Sequence, residues 1–267
     1  GRIERGDVER AAAAPAQPDA IFLHEAGPET GPPVLLLHGF AADHTVWAGL
    51  AARLARAGRR VLAADLPGHG ATAAEAATPD ALSAGLDTAV AARTGATPLH
   101  LVAHSMGAIP AVALAARLPL ASLTLIAPVG LSLRIDRDFL AGLAQAGSAG
   151  EVSHLLSRMA EGPLPLSAEA VAEIHRTLAA GRLRGLAGAL AGPTGQTVDL
   201  RAPLAALAER LPVRLILGHR DRIIPWQDSV AVSPRIAVHH LPRAGHMPHW
   251  DAPAEVLAIL THITEDR

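Results

Sequence analysis

The chain has 267 residues, a formal net charge of −2 and hydrophobic side chains at 50% of its positions, which suits one α/β domain with a large core. The sequence contains no cysteine and no lysine, which excludes disulfides, thiolate or Schiff-base nucleophiles and a lysine-borne prosthetic group on this chain. The nearly balanced charge argues against a nucleic-acid partner.

The first twenty residues combine charges with an Ala/Pro tract, which predicts a linker-like segment over 1–20 and a folded domain over 21–267. We see no signal peptide, because this segment is charged and interrupted by proline. The charge-free stretch 94–116 contains prolines, glycines and histidines that a lipid-exposed helix rarely carries together. We therefore expect a soluble, cytoplasmic protein without a membrane partner.

From Gly31 onward, short apolar runs alternate with helical patterns. The predicted strands are Val34–Leu37, Val61–Ala64, Leu99–Ala103, Leu123–Ile126, Val213–Leu217 and Val238–Leu241. The predicted helices are Thr45–Ala57, Leu82–Thr94, Gly107–Leu118 and Ala254–Ile263. Continuously apolar strands that alternate with helices indicate an α/β fold, with a mostly parallel sheet covered by helices on both faces.

The interval 129–199 breaks this alternation. It offers helical segments rather than strands, at Asp136–Ala146, Val152–Met159 and Ala168–Ala180, followed by a Gly-rich patch from Gly181 to Gly195. An interval of this length is long for one crossover between strands, although crossover helices are the simpler alternative. We predict a helical lid inserted between two strands of the sheet.

The strongest chemical motif is AHSMG at residues 103–107, between a predicted strand and a predicted helix. A tight strand-to-helix turn exposes the serine oxygen and needs small neighbours, and Ala103 stands where the usual motif has glycine. We predict Ser105 as the nucleophile, with helix capping as the alternative role. The run LHGF ends at Phe40, after the first predicted strand. The main-chain N–H groups of Phe40 and Met106 are predicted to form an oxyanion hole.

Two further residues follow strand ends. His246, in the loop after the last strand, is predicted as the general base, and Asp221 as the carboxylate that orients it. A surface ion pair is the alternative for Asp221, while Asp228 and Asp251 are competing carboxylates further from a strand end. His246 and His249 form an H-x-x-H pair, but no third ligand cluster supports a metal site.

The pocket is predicted to be lined by side chains of the lid and of flanking loops. The candidates are His38, Trp47, Leu131, Phe139, Leu143 and Trp226. For His38, a structural role in shaping its loop is favoured over proton transfer. The Ala- and Leu-rich lid indicates a small, apolar acyl group.

The runs LLLHGF, DLPGHG, AHSMG, GHRDRIIP and AGHMPH together resemble the α/β-hydrolase superfamily over about residues 21–263. The runs SLTLIAPVGL, DFLAGL and LPRAGHMPH resemble more particularly the hydrolase-like domain of the dihydrolipoamide acetyltransferase component of acetoin dehydrogenase complexes. This resemblance implies an acetyl thioester on a lipoyl arm of a partner domain, no cofactor on this chain, and other components of a 2-oxo-acid-dehydrogenase-like complex as partners.

These observations predict an enzyme that forms an acyl-serine at Ser105 from a small ester or thioester. Water or a dithiol could then accept the acyl group, which leaves carboxylesterase, carbon–carbon bond hydrolase and acyltransferase activities open. A non-catalytic scaffold with an unused triad is a further alternative.

Overall fold

The computed structural model describes residues 20–265, and within that range seven strands form one sheet with the order β1-β3-β2-β4-β5-β8-β9. The strands are β1 (Leu23–Ala26), β2 (Pro33–Leu37), β3 (Arg60–Ala64), β4 (Leu99–His104), β5 (Leu120–Ile126), β6 (Ala191–Gly192), β7 (Gly195–Gln196), β8 (Val213–Gly218) and β9 (Ala237–Leu241). Only β1 pairs antiparallel within this sheet, while β6 and β7 form a separate hairpin.

The helices surround this sheet. They are α1 (Ala48–Arg56), α2 (Leu86–Thr94), α3 (Ala108–Leu114), α4 (Arg137–Gln145), α5 (Ala149–Leu156), α6 (Ala168–Ala179), α7 (Arg184–Leu190), α8 (Arg201–Ala208), α9 (Pro248–Asp251) and α10 (Pro253–Glu265). Along β2, Leu35 and Leu37 join one apolar cluster while Val34 and Leu36 join the other. Because successive strand residues point to opposite faces, this alternation places a core on each side of the sheet.

The predicted strands and the mostly parallel sheet are confirmed. The strand β1 is an addition, and it had no apolar signal because its central residues are the exposed His24 and Glu25. The predicted helix Leu82–Thr94 begins later, since Gly85 has a φ of 73° and separates a short 3-10 turn from α2. The Gly-rich patch contains a helix, α7, that the sequence did not predict.

The interval 129–199 is a helical insertion between β5 and β8, and it contains α4 to α7 and the β6–β7 hairpin. Helices α4, α5 and α6 begin at side-chain caps, in which Asp136, Ser148 and Ser167 accept a hydrogen bond from a first-turn N–H. The hairpin was not expected, because its two-residue strands carry no strand signal, and it lies outside the main sheet. We call this interval the helical insertion; that it acts as a lid stays a prediction.

The predicted linker at 1–20 lies outside the described residues except for Ala20. Among helices in the described part of the chain, none has the length and apolar character needed to cross a bilayer.

Candidate active site

Ser105 lies in the tight turn between β4 and α3, with a φ of 50°. A positive φ is uncommon for a residue with a side chain and marks a strained turn. The turn packs against the end of β2, because a Cβ atom at Gly107 would lie 2.7 Å from the Leu37 carbonyl oxygen and 2.6 Å from that of His38. Glycine at 107 therefore permits the contact that fixes the serine beside the loop after β2.

His246 joins Ser105 to Asp221. Its Nε2 atom lies 3.0 Å from the Ser105 hydroxyl, and its Nδ1 atom lies 2.7 Å from an Asp221 carboxylate oxygen. Ser105 and the side chains of His246 and Asp221 are all buried. This pattern assigns Nδ1–H as the donor to Asp221 and Nε2 as the acceptor from Ser105. The geometry is that of a nucleophile, a base and a carboxylate that orients the base.

The loop after β8 fixes the Asp221 carboxylate. Its Oδ1 atom accepts hydrogen bonds from the main-chain N–H groups of Ile223 and Ile224, at 2.7 and 2.9 Å. Its second oxygen is therefore directed to His246. The neighbouring Arg220 and Arg222 instead pair with a single glutamate, Glu161, at 3.0 Å each, so the surface ion-pair alternative for Asp221 does not describe its contacts.

The competing carboxylates have other partners. Asp228 accepts hydrogen bonds from Ser132 and Arg134. Asp251 accepts from the main-chain N–H of Gly245 at 2.8 Å and from that of Glu161 at 3.0 Å, so it ties the His246 loop to the helical insertion.

A second tie joins the same two segments. The N–H of Met247 donates to the carbonyl oxygen of Met159 at 3.0 Å. From the nucleophile turn, Nε2–H of His104 donates to the carbonyl oxygen of His246 at 2.8 Å. His246 is thus held in place from the insertion and from the serine turn.

The imidazoles around the base are buried. Burial lowers the pKa of His104 well below its ordinary value, and a charge on neighbouring His246 or His249 would lower it further. Burial likewise lowers the pKa of His249 to about 3. Both rings are therefore neutral at pH 7, so neither places a positive charge beside His246.

The predicted oxyanion donors lie beside the serine. Phe40 and Met106 both line the same small cavity as Ser105 and His246. A Cβ atom at Gly39 would come within 3.2 Å of the Ser105 Cβ, so the loop after β2 approaches the nucleophile closely. The structure thus brings together the chain segments that would supply the two N–H groups.

Two cavities meet at the site. The small cavity has a volume of about 20 Å³ and is lined by Ser105, His246 and apolar residues such as Phe139 of the helical insertion. The large cavity has a volume of about 440 Å³ and extends between α6 and the loops after β2 and β3. Phe40, His104 and Met159 line both cavities, so they form the boundary between them.

Several predicted pocket residues do not line these cavities. Trp47 is fully buried on the opposite face of the sheet, where it stacks on His249 at 4.5 Å. Trp226 stacks on His219 at 4.1 Å. Leu131 and Leu143 are packed in the core, 2% and 0% exposed. These predictions were wrong because apolar character alone does not distinguish a cavity wall from the core.

His38 has the structural role that the sequence favoured. Its Nδ1–H donates to the Gly39 carbonyl oxygen at 2.8 Å, and its Nε2 accepts from the Leu66 N–H at 3.0 Å. Both ring nitrogens are therefore used within the protein, and the imidazole connects the loops after β2 and β3. His38 lines neither cavity, which corrects its place among the pocket candidates.

The sequence missed other residues of the cavity walls. Leu140 and Leu190 line the small cavity, and Met159 separates the two cavities. Leu140 adjoins the predicted Phe139 on the apolar stripe of α4, and that stripe was the only available signal. Met159 follows the end of α5, where helical periodicity gives no guidance.

One group of possible metal ligands occurs among the described residues, formed by Asp43, His44 and Asp65 within 4.8 Å of one another. Hydrogen bonds already occupy it. Asp65 accepts from the His44 N–H at 2.7 Å, from the His44 ring at 2.9 Å and from the Ala71 N–H at 2.8 Å. These bonds explain the cluster as a brace between the loops after β2 and β3.

The fold and the arrangement of Ser105, His246 and Asp221 define an α/β hydrolase. The sequence profile of the alpha/beta hydrolase family matches residues 34–259, and the chain belongs to this family.

Among curated relatives, the dihydrolipoyllysine-residue acetyltransferase component of the acetoin cleaving system from Pseudomonas putida is 33% identical over 240 residues, covering 87% of this chain and 63% of the relative. The chain thus spans slightly less than two thirds of that protein. A pimeloyl-[acyl-carrier protein] methyl ester esterase from Methylococcus capsulatus is 30% identical over 254 residues, covering 85% of this chain and 92% of the relative.

Solved structures agree with this assignment. A thermophilic esterase from Thermogutta terrifontis superposes with a TM-score of 0.68 and 26% identity, over 91% of this chain and 92% of that chain.

Proposed function

We propose that this chain is a serine-dependent acyl hydrolase or acyltransferase that acts on a small ester or thioester through an acyl-Ser105 intermediate. The observation that carries the proposal is the continuous contact from the Ser105 hydroxyl through His246 to Asp221. The family membership and the esterases among its relatives support hydrolase chemistry.

The proposed reaction has two halves. His246 takes the proton of Ser105 as its oxygen bonds to the acyl carbon, and the N–H groups of Phe40 and Met106 stabilise the oxyanion. The bond from the acyl carbon to the leaving oxygen or sulfur then breaks, and His246 returns the proton to that atom. An acceptor next gives its proton to His246 and bonds to the acyl carbon; the bond from that carbon to the Ser105 oxygen breaks, and His246 returns the proton to Ser105. None of these steps needs a cofactor on this chain.

The acceptor is either water or a thiol. Water would make the enzyme a carboxylesterase or thioesterase, as the esterase relative supports. Likeness to the acetoin-system acetyltransferase supports acetyl transfer to a dihydrolipoyl dithiol within a multi-component complex. Since this sequence has no lysine, the lipoyl arm would come from a partner domain.

The test measures nitrophenol release from 4-nitrophenyl acetate by the wild type and by Ser105→Ala. We expect kcat to fall on the order of 10⁶-fold, because the nucleophile is lost. The matched control is Ser153→Ala, which removes an exposed hydroxyl from α5 and keeps the wild-type rate. Equal rates for wild type and Ser105→Ala would favour a scaffold and contradict the proposal.

The same assay separates the acceptors. Adding dihydrolipoamide accelerates release by the wild type if the dithiol accepts the acyl group and deacylation limits the rate. Appearance of S-acetyl-dihydrolipoamide, measured by mass spectrometry, identifies transfer directly, whereas acetate as the sole product identifies hydrolysis.

A further inference from the structure

The small cavity lies at Ser105. Ser105 lines this cavity and not the large one, so the acyl carbon is bonded at its wall. A volume of about 20 Å³ holds only about one water-sized group. On the insertion side the wall is formed by Phe139, Leu140 and Leu190, whose exposed fractions are 3%, 5% and 3%. These side chains are packed into the core, so they resist displacement.

The large cavity begins on the other side of the boundary. At about 440 Å³ it lies within the usual range for small-molecule sites. Its wall on α6 includes Ile174 and Leu178, with Leu183 beyond the helix end, and Trp250 lines it from α9. This apolar wall suits an alkyl chain.

We infer that the two cavities divide the substrate at its carbonyl carbon: the small cavity takes an acyl group of about two carbons, and the large cavity takes the alkyl chain of the thiol or alcohol. The inference rests on the proposed function of Ser105 and adds the substrate class. Phe139 is the specificity-determining residue, because its large buried side chain lines the small cavity together with Ser105.

The reverse placement conflicts with the packing. A long acyl chain in the small cavity would have to displace buried side chains of the insertion, and overpacking a filled core is unfavourable. A long thiol chain in the large cavity displaces no protein atoms. The acyl side is therefore predicted to be strictly limited in length, and the leaving-group side is not.

Two isomeric thioesters test this division. Octyl thioacetate and ethyl thiooctanoate have the same composition and the same scissile bond, but carry their long chain on opposite sides of the carbonyl. Thiol release is followed with a chromogenic disulfide, which the cysteine-free protein cannot reduce. Each kcat/KM is divided by the rate of the same ester with hydroxide, which removes intrinsic reactivity. We expect the wild type to prefer octyl thioacetate by about tenfold or more.

Two truncations on helix α4 test whether Phe139 sets the preference between the two thioesters. Phe139→Ala opens the small cavity and is expected to lower the octyl thioacetate preference by about tenfold. Leu143→Ala removes a buried side chain one turn further along α4 that lines neither cavity, and it keeps the wild-type preference. The preference is a ratio of two rates measured on one sample. A lower concentration of folded protein reduces both rates equally, so partial unfolding of a variant does not change the ratio.

The outcomes separate the two proposals. Ser105-dependent hydrolysis with equal or reversed preference in the wild type, or an unchanged preference in Phe139→Ala, overturns the division of the substrate alone. Absence of Ser105-dependent hydrolysis of both thioesters and of 4-nitrophenyl acetate overturns the proposed function itself.

Discussion

At the scale of single residues, the Asp221 carboxylate acts as a hydrogen-bond acceptor toward every contact described for it. One oxygen accepts from two main-chain N–H groups, and the other faces Nδ1 of His246. A carboxylate can satisfy all three donors, whereas an amide has only one acceptor oxygen. Position 221 therefore favours aspartate over asparagine, although the two side chains have almost the same shape.

We predict that Asp221→Asn lowers kcat for 4-nitrophenyl acetate by roughly 10⁴-fold. The amide oxygen stays with the N–H groups of Ile223 and Ile224, so the NH₂ group turns to His246 and selects the tautomer that cannot accept the Ser105 proton. Asp228→Asn, which alters a carboxylate paired with Ser132 and Arg134, is the control and keeps the wild-type kcat. A loss of less than tenfold in Asp221→Asn would argue against this role.

At the scale of secondary-structure elements, α4 is joined to the loop that carries Asp221. The Asp136 side chain caps α4 by accepting from the Phe139 N–H at 2.9 Å, and it pairs with Arg158. Its own N–H donates to the Ile223 carbonyl oxygen at 2.9 Å. Asp136 thus fixes the wall of the small cavity through its side chain and joins it to the Asp221 loop through its main chain.

Asp136→Ala is expected to lower the free energy of unfolding by about 1 kcal/mol or somewhat more, since it removes a helix cap together with a partly exposed ion pair. Ser148→Ala, which removes only the cap of α5, is expected to cost less. Urea denaturation of both variants measures the difference. A smaller effect for Asp136→Ala than for Ser148→Ala would show that the α4 cap is not a principal anchor of the insertion.

The elements that could be predicted were those with a local apolar signal. Six strands of the sheet follow from short, largely apolar runs, but β1 is an edge strand whose exposed residues carry no such pattern. Helix α7 was not predicted, because Gly185 and Gly188 lower the helix propensity of this segment. Burial of Leu186 and Leu190 against the rest of the insertion offsets that cost, and this packing is not visible in a single sequence.

The candidate site likewise contains residues that could be predicted from the sequence and residues that could not. Ser105, Asp221 and His246 were predictable because carboxyl ends of parallel strands meet at one edge of a sheet, which makes loop position informative. The residues of the cavity wall could not be predicted. Helical periodicity identifies the apolar stripe of a helix, but it does not show which residues of that stripe face the site. Phe139 and Leu143 belong to the same stripe of α4, yet only Phe139 reaches the small cavity.

At the scale of the whole molecule, buried neutral imidazoles link stability to pH. Burial lowers the pKa of His69 to about 4 and that of His249 to about 3, and it lowers the pKa values of His38 and His104 well below their ordinary range. In the described part of the chain, neither ring nitrogen of His249 has a hydrogen-bond partner. The unfolded chain binds protons at these residues below about pH 6.5, whereas the folded protein does not.

The free energy of unfolding is therefore expected to fall as the pH decreases from about 6.5 toward 4, by roughly 1.4 kcal/mol for each such histidine between about pH 7.5 and 5.5. Urea denaturation at these two pH values measures the loss. His249→Phe removes one titrating group and reduces the pH-dependent difference by about that amount, while His154→Phe, at an exposed position, keeps it. An unchanged difference in His249→Phe would contradict the buried neutral state.

The hydrogen bond from the Met247 N–H to the Met159 carbonyl oxygen has a consequence for how substrates enter. If the chain at Met159 swung outward, it would break this bond and remove one of the contacts that hold the His246 loop, while the hydrogen bonds from His104 and to Asp221 would remain. The proposed base would then be less firmly positioned while the interior was open to water, so opening on that side would work against the proposed chemistry. Because Met159 and Met247 line the large cavity together with α6, we expect substrates to enter past α6, where an opening would leave this bond intact.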